Sequence, residues 1–142
     1  MSAVLLDTHT LVWLMSNAPL SAEAFLAIAE AQEAGQLLVS PISAWEVGVA
    51  IRKPSKRPDI GGGDAAAWFE AALKIPGARL VNLTRRIAVE AALIPAVFNH
   101  ADPGDCFLIA TARVRKVAIV TRDRKIIELA RQRPAYLKAI AC

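Results

Sequence analysis

The sequence predicts an α/β fold in which helices cover both faces of a mostly parallel β-sheet. Two observations support this prediction. Short apolar runs alternate with helix-type segments along the 142 residues, and hydrophobic residues make up 55% of the chain. Such alternation is typical of parallel sheets whose strands are buried on both faces. No segment has the character of a domain linker, so we expect a single domain over residues 1–142.

Four apolar runs are the predicted strands. They cover residues 3–6, 37–39, 79–82 and 118–121. The first run, Ala3 to Leu6, contains no polar residue and closes on Asp7, which is the pattern of a strand buried on both faces.

Helix-type segments fill the stretches between these strands. Several of them start with residues that cap helices, such as Ser21, Asp64 and the pair Ser40-Pro41. The predicted helices cover residues 9–15, 21–35, 41–53, 64–74, 84–94, 102–116 and 124–132. Residues 53–63 are rich in Pro, Gly, Lys and Arg, which predicts an exposed loop within the domain.

The composition argues against several classes of protein. No apolar run reaches the roughly 18 residues of a membrane span, and the N-terminal run lacks the basic flank of a secretion signal. Two cysteines are too few for a disulfide scaffold, so we expect reduced thiols and a cytoplasmic location. The net charge of +4 permits a nucleic-acid partner without requiring one.

Two acidic residues stand where parallel sheets form their sites. Asp7 ends the first predicted strand, and Asp123 closely follows the fourth. Ligands bind outside the carboxyl ends of parallel strands, so both residues are candidates for a site. The alternative for each is a turn or helix cap, which is common after strands.

Glu46 lies within a predicted helix whose neighbouring side chains carry no charge. The residues three and four positions away are Ile42, Ser43, Val49 and Ala50, so no local ion pair accounts for the carboxylate. A carboxylate on an apolar helix surface is costly unless something pairs with it. The alternative is an exposed Glu46 on a helix that is apolar elsewhere.

Asp102 and Asp105 open a later helix. Asp102 followed by Pro103 is a plain N-cap arrangement, and we prefer that interpretation for Asp102. Asp105 shares a helix face with Leu108 and Ile109, so it is expected to point inward. Together with the other acids it offers the oxygen ligands that hard divalent cations need. A bound cation would also relieve the repulsion between neighbouring carboxylates.

Four stretches, in this order, resemble the PIN domain and, within it, the VapC-type toxins of toxin–antitoxin pairs. They are LLDTHTLVWL, SPISAWEV, HADPGDCFLIATA and VTRD, and they extend from residue 5 to residue 123. The resemblance implies a three-layer α/β/α fold with a twisted, mostly parallel sheet of four to five strands. It implies a catalytic Mg²⁺ or Mn²⁺ site formed by Asp7, Glu46, Asp105 and Asp123, with Thr8, Thr121 and Asp102 as auxiliary residues.

The resemblance also implies a function. The expected activity is an endoribonuclease that hydrolyses structured RNA, such as tRNA or rRNA, leaving 5′-phosphate and 3′-hydroxyl ends. The expected partners are a cognate VapB-type antitoxin and a second copy of the chain, with no membrane. Two departures are visible: Cys106 stands where relatives often carry Arg, and Gly104 stands where many carry a bulky aromatic residue.

Basic residues near the predicted site are candidates for phosphate contacts with RNA. They are Lys53, Arg57, Arg122 and Arg124. The tryptophans have apolar helical neighbours, which favours a place in the core or a dimer surface over base stacking. His9 and His100 are given no catalytic role.

Three other functions fit parts of the pattern. The first is a phosphotransferase of the haloacid dehalogenase type with Asp7 as nucleophile, although such enzymes have a second Asp where this chain has His9. The second is a non-catalytic scaffold that binds RNA or metal. The third is a DNA nuclease of related chemistry.

Overall fold

The structure, a computed structural model, describes residues 2–99 and 102–142. Within those residues it has five strands and seven α-helices. In chain order they are β1 (Val4–Leu6), α1 (Thr8–Met15), α2 (Ala22–Glu33), β2 (Leu37–Val39), α3 (Pro41–Ala50), α4 (Ala65–Leu73), β3 (Ala78–Leu80), α5 (Arg85–Leu93), α6 (Pro103–Arg115), β4 (Ala118–Thr121), α7 (Arg124–Gln132) and β5 (Ala139–Ala141), with a 3₁₀ turn at Ile94–Ala96 after α5.

The five strands form one parallel sheet in the order β3-β2-β1-β4-β5. The central strand β1 pairs Leu5 with Leu38 on one side and with Ile119 on the other. The chain leaves β1 at Asp7, whose backbone N–H still donates to the carbonyl of Val120 at 3.1 Å. Asp7 therefore lies at the middle of the carboxyl edge of the sheet, where parallel sheets place their sites.

Alternate side chains of the strands pack into two hydrophobic clusters, one on each face of the sheet. Leu5 and Ile119 face the cluster that contains the apolar residues of α5, α6 and α7. Leu6 and Val120 face the cluster that contains those of α1, α2 and α4. The prediction of an α/β fold with helices on both faces of a parallel sheet is therefore confirmed.

Several element boundaries differ from the predicted ones by a residue or two, and α3 and β5 differ more. The strand β5 lies outside the four predicted strands, and β3 is one residue shorter than the predicted segment. The helix α3 ends at Ala50 instead of Lys53, because the N–H groups of Arg52 and Lys53 bond to carbonyls only three residues back. This tightened turn ends the helix before Pro54. Nowhere in residues 2–99 and 102–142 does a helix have the length and apolarity to cross a membrane.

Candidate active site

Asp7 occupies the first position of the candidate site and is held from both sides. It caps α1, accepting the Thr8 backbone N–H on Oδ1 at 2.6 Å, and it accepts the Thr121 hydroxyl on Oδ2 at 2.6 Å. The Thr121 hydroxyl oxygen also accepts the backbone N–H of Asp123 at 3.0 Å, so one hydroxyl joins the ends of β1 and β4. Burial raises the pKa of Asp7 above its usual value.

Glu46 reaches the same place from α3. Its Oε1 accepts the hydroxyl of Thr8 at 2.5 Å. That bond uses the only hydroxyl proton of Thr8, so Ser43 donates to Thr8 Oγ1 across the 2.8 Å between the two oxygens. Burial, and then the nearby carboxylates of Asp7 and Asp102, raise the pKa of Glu46 to about 7.

The start of α6 brings two more carboxylates. Asp102 is the N-cap, as predicted, and its Oδ1 accepts the N–H groups of Gly104 and Asp105 at 2.9 and 3.5 Å. Asp105 is buried, and oxygens of Glu46, Asp102 and Asp105 lie within 4.8 Å of one another. Burial and the surrounding carboxylates, Asp102 first among them, raise the pKa of Asp105 to about 8.

The two departures from the family pattern have different consequences here. Cys106 is buried in the core cluster on the α6 side, where burial raises the pKa of its thiol, so it brings no positive charge to the site. Gly104 has a direct contact with the site: a Cβ at this position would lie 2.2 Å from Oε2 of Glu46.

The site's donor set fits a hard divalent cation. The ligand atoms available are carboxylate and hydroxyl oxygens, which Mg²⁺ and Mn²⁺ prefer. Burial and mutual repulsion disfavour the charged forms of Asp7, Glu46 and Asp105, and a cation would reverse both effects. The missing Cβ at Gly104 gives Glu46 the room to turn its carboxylate toward Asp102 and Asp105.

These carboxylates form the floor of a cleft of about 550 Å³. The turn and loop after α3 also line the cleft and contribute three cations, Lys53, Lys56 and Arg57, and one carboxylate, Asp59. Lys53 and Arg57 are among the predicted phosphate contacts, whereas Lys56, from the same basic stretch, is not. An acidic floor together with a largely basic loop suits an anionic substrate bridged by a cation.

The remaining basic candidates, Arg122 and Arg124, do not line this cleft. The Arg122 guanidinium lies 3.9 Å from the ring centre of Trp13 and donates to the carbonyls of Pro19 and Cys142, both at 3.2 Å. It borders a smaller hollow beside Asp123.

 That hollow, of about 230 Å³, is lined by Asp7, His9, Trp13, Arg122 and Asp123.

Arg124 and His9 lie in different places relative to the carboxylate cluster. Arg124 borders a separate groove with Val97 and Phe98. His9 is exposed at the rim of the cleft and stacks on Trp13, with 5.8 Å between ring centres. His100 lies outside the described residues.

A comparison with known protein families shows which family this chain belongs to. Residues 4–132 match the PIN domain. The chain belongs to the PIN domain family. No curated protein sequence matches this PIN domain significantly.

Solved structures share its fold at low sequence identity. The matched chain of a toxin–antitoxin complex from Klebsiella pneumoniae has 22% identity and a TM-score of 0.56, covering 85% of this chain and 87% of that chain. The matched chain of a DNA-bound VapBC2 complex from Rickettsia felis has 11% identity and a TM-score of 0.67, with 98% of each chain covered. The matched chain of a DNA-bound VapBC complex from Salmonella typhimurium has 18% identity and a TM-score of 0.66, covering 99% of this chain and 98% of that chain.

Proposed function

We propose that this PIN domain is a Mg²⁺- or Mn²⁺-dependent endoribonuclease and the toxin of a toxin–antitoxin pair. The observation that carries the proposal is the cleft that five carboxylates, apart from Asp59 of the loop after α3, line together with Lys53, Lys56 and Arg57. PIN domains are generally nucleases, and the carboxylates are those of Asp7, Glu46, Asp102, Asp105 and Asp123.

In this proposal Asp7, Glu46, Asp105 and Asp123 hold the cation. A divalent cation bound there would lower the pKa of water and stabilise the charge that develops on a phosphodiester. The hydroxyls of Thr121 and Thr8 orient Asp7 and Glu46, respectively. Attack of water on phosphorus breaks the bond to the 3′-oxygen, which takes up a proton, and leaves 5′-phosphate and 3′-hydroxyl ends.

The basic residues that line the cleft would bind the RNA backbone. Lys53, Lys56 and Arg57 are exposed, so their charges remain available to phosphates. Contacts of this kind position a nucleic acid without reading its sequence. The choice of RNA would then come from the shape of the substrate around the cleft.

A cognate antitoxin and a second copy of the chain are the proposed partners. Three solved structures with this fold come from toxin–antitoxin complexes. The chain also exposes large apolar side chains on two helices, Phe25 and Leu26 on α2 and Val89 and Leu93 on α5. Exposed apolar surface of this kind is typical of sites that protein partners cover.

The test is cleavage of total tRNA and rRNA by the purified protein with Mg²⁺, with Mn²⁺ or with EDTA. Asp7→Asn is the active-site variant, and Asp64→Asn is its matched control. Both residues cap helices, and Asn keeps a cap, but Asp64 lies outside the cleft. We expect discrete, metal-dependent fragments from the wild type and Asp64→Asn, and none from Asp7→Asn.

The same assay separates the alternatives. Equal cutting by all three proteins, or cutting that persists in EDTA, would contradict the proposal. Single-stranded DNA digested in parallel distinguishes a DNA nuclease, and RNA binding with no cleavage in either metal indicates a scaffold. A phosphorylated enzyme would indicate the phosphotransferase, although both Asp7 oxygens are already engaged by Thr8 and Thr121.

A further inference from the structure

Gly104 lies in the first turn of α6, directly against the side chain of Glu46. A Cβ added to Gly104 would lie 2.2 Å from Oε2, 2.5 Å from Cδ and 3.0 Å from Cγ of Glu46. Real Cβ atoms essentially never approach other heavy atoms below 3.0 Å, so one of the two side chains would have to move. The Glu46 side chain is flexible at its end, so its carboxylate is the group that would move.

The backbone does not explain the glycine. Gly104 has the conformation of a helical residue, and it is absent from the glycines with positive φ. Glycine is a poor helix former, so any other small residue would suit the local structure better. The nearest atoms that a side chain at position 104 would meet belong to Glu46.

The position of Glu46 matters because it completes the carboxylate cluster. The Thr8 hydroxyl holds Oε1 at 2.5 Å, while Oε2 lies over Gly104. In this arrangement, oxygens of Glu46, Asp102 and Asp105 come within 4.8 Å of one another. Displacing the carboxylate would break the bond to Thr8 or move Oε2 away from α6.

We propose that Gly104 is a positioning residue that admits the Glu46 carboxylate to the metal site and thereby sets the affinity for the divalent cation. The inference rests on the proposed function, because it requires that this carboxylate cluster bind a cation. Gly104 itself contributes no ligand and acts only through the space that it leaves.

The test compares Mn²⁺ binding by the wild type, Gly104→Ala and the matched control Gly48→Ala, without RNA. Gly48 is also a helical glycine, two residues from Glu46 on α3, but a Cβ there would meet only Ala65 at an ordinary 3.7 Å. The readout is the Mn²⁺ dissociation constant from calorimetry of metal-free protein. We expect Gly104→Ala to weaken binding about tenfold, as loss of an orienting contact does, and Gly48→Ala to leave it unchanged.

Repeating Gly104→Ala in a Glu46→Ala background isolates the contact. With Glu46 shortened, a Cβ at position 104 has no carboxylate to displace, so the substitution should change Mn²⁺ affinity by less than about twofold. Thermal unfolding of the four metal-free proteins should show the same coupling. If Gly104→Ala unfolds the protein only when Glu46 is present, the steric contact is demonstrated directly.

Three outcomes would overturn the inference. Gly104→Ala binds Mn²⁺ like the wild type, or it weakens binding equally without the Glu46 side chain, or it unfolds the protein in both backgrounds. A wild type that binds no Mn²⁺ would instead refute the proposed metal site, and the inference with it. The wild-type titration therefore distinguishes failure of the proposed function from failure of the inference.

Discussion

At the scale of single residues, the site depends on buried hydroxyls as much as on carboxylates. Thr121 is fully buried, donates to Asp7 and accepts from the backbone of Asp123. Thr8 receives a hydrogen bond from Ser43 and passes one to Glu46. These hydroxyls fix carboxylates that would otherwise turn away from one another.

Thr121→Val should therefore damage both stability and metal binding. It leaves Asp7 Oδ2 and the Asp123 N–H without their partner, which should cost about 1–3 kcal/mol in the free energy of unfolding. We expect Mn²⁺ affinity to fall by about tenfold. Urea denaturation and calorimetric titration measure the two effects.

Thr10→Val is the matched control, because Thr10 is equally buried but donates to the carbonyl of Val120. It should lose stability and keep its Mn²⁺ affinity. Equal loss of Mn²⁺ affinity in both variants would show that Thr121 supports the fold alone.

The raised pKa values of the buried carboxyls predict a pH-dependent metal affinity. Metal binding requires deprotonated ligands. The pKa is about 7 for Glu46 and about 8 for Asp105, so Mn²⁺ should bind more tightly as pH rises through these values. Titrations at a series of pH values measure this, and an affinity independent of pH would contradict it.

The same pKa values predict the pH dependence of stability in metal-free protein. Between the ordinary pKa of 3.8 and about 8, Asp105 binds more protons in the folded than in the unfolded state. The free energy of unfolding should therefore decrease as pH rises across that window. Urea denaturation in EDTA measures the decrease, and Asp105→Asn should make it smaller.

At the scale of elements, local signals predicted most of the structure. Apolar runs located β1, β2 and β4, and capping residues located the starts of α2, α3, α4 and α6. The strand β5 gave too weak a signal, since Ala139–Ala141 is a short edge strand whose residues are only partly buried or exposed. The position of β5 is determined by its pairing with β4, a long-range contact that no local sequence pattern predicts.

The basic segment after α3 is predicted to bind RNA. Lys53→Ala should weaken RNA binding and make the dependence on salt less steep by about one unit, because one phosphate contact is lost. Lys138→Ala is the control. Lys138 is also exposed, but it precedes β5 and so lies at the amino ends of the parallel strands, whereas the cleft lies at their carboxyl ends. Binding to tRNA, measured at several salt concentrations in the Asp7→Asn background, which we expect to be inactive, tests this prediction.

The two substitutions must differ for the interpretation to hold. An equal weakening by Lys53→Ala and Lys138→Ala would indicate a general effect of net charge. No change in either would exclude Lys53 from the RNA interface.

At the scale of the whole molecule, the parallel sheet is what gathers the site. Asp7 and Asp123 follow neighbouring strands, while Glu46 and Asp105 arrive on α3 and α6, which pack at the same edge. The sequence indicated each of these four residues through its surroundings. The sequence also predicts Asp102 as a helix cap, and the structure confirms this. The closeness of Asp102 to Glu46 arises from packing between α3 and α6, which no local sequence pattern predicts.

A cation site among these carboxylates is tested most directly by diffraction from crystals soaked in Mn²⁺, using the anomalous signal to locate the ion. We predict a Mn²⁺ peak in the cleft, bound by Asp7 and Asp105 together with Glu46 or Asp123, and no such peak in Asp7→Asn crystals. Mn²⁺ found only at exposed acids outside the cleft, or in the cleft of Asp7→Asn at full occupancy, would contradict this site.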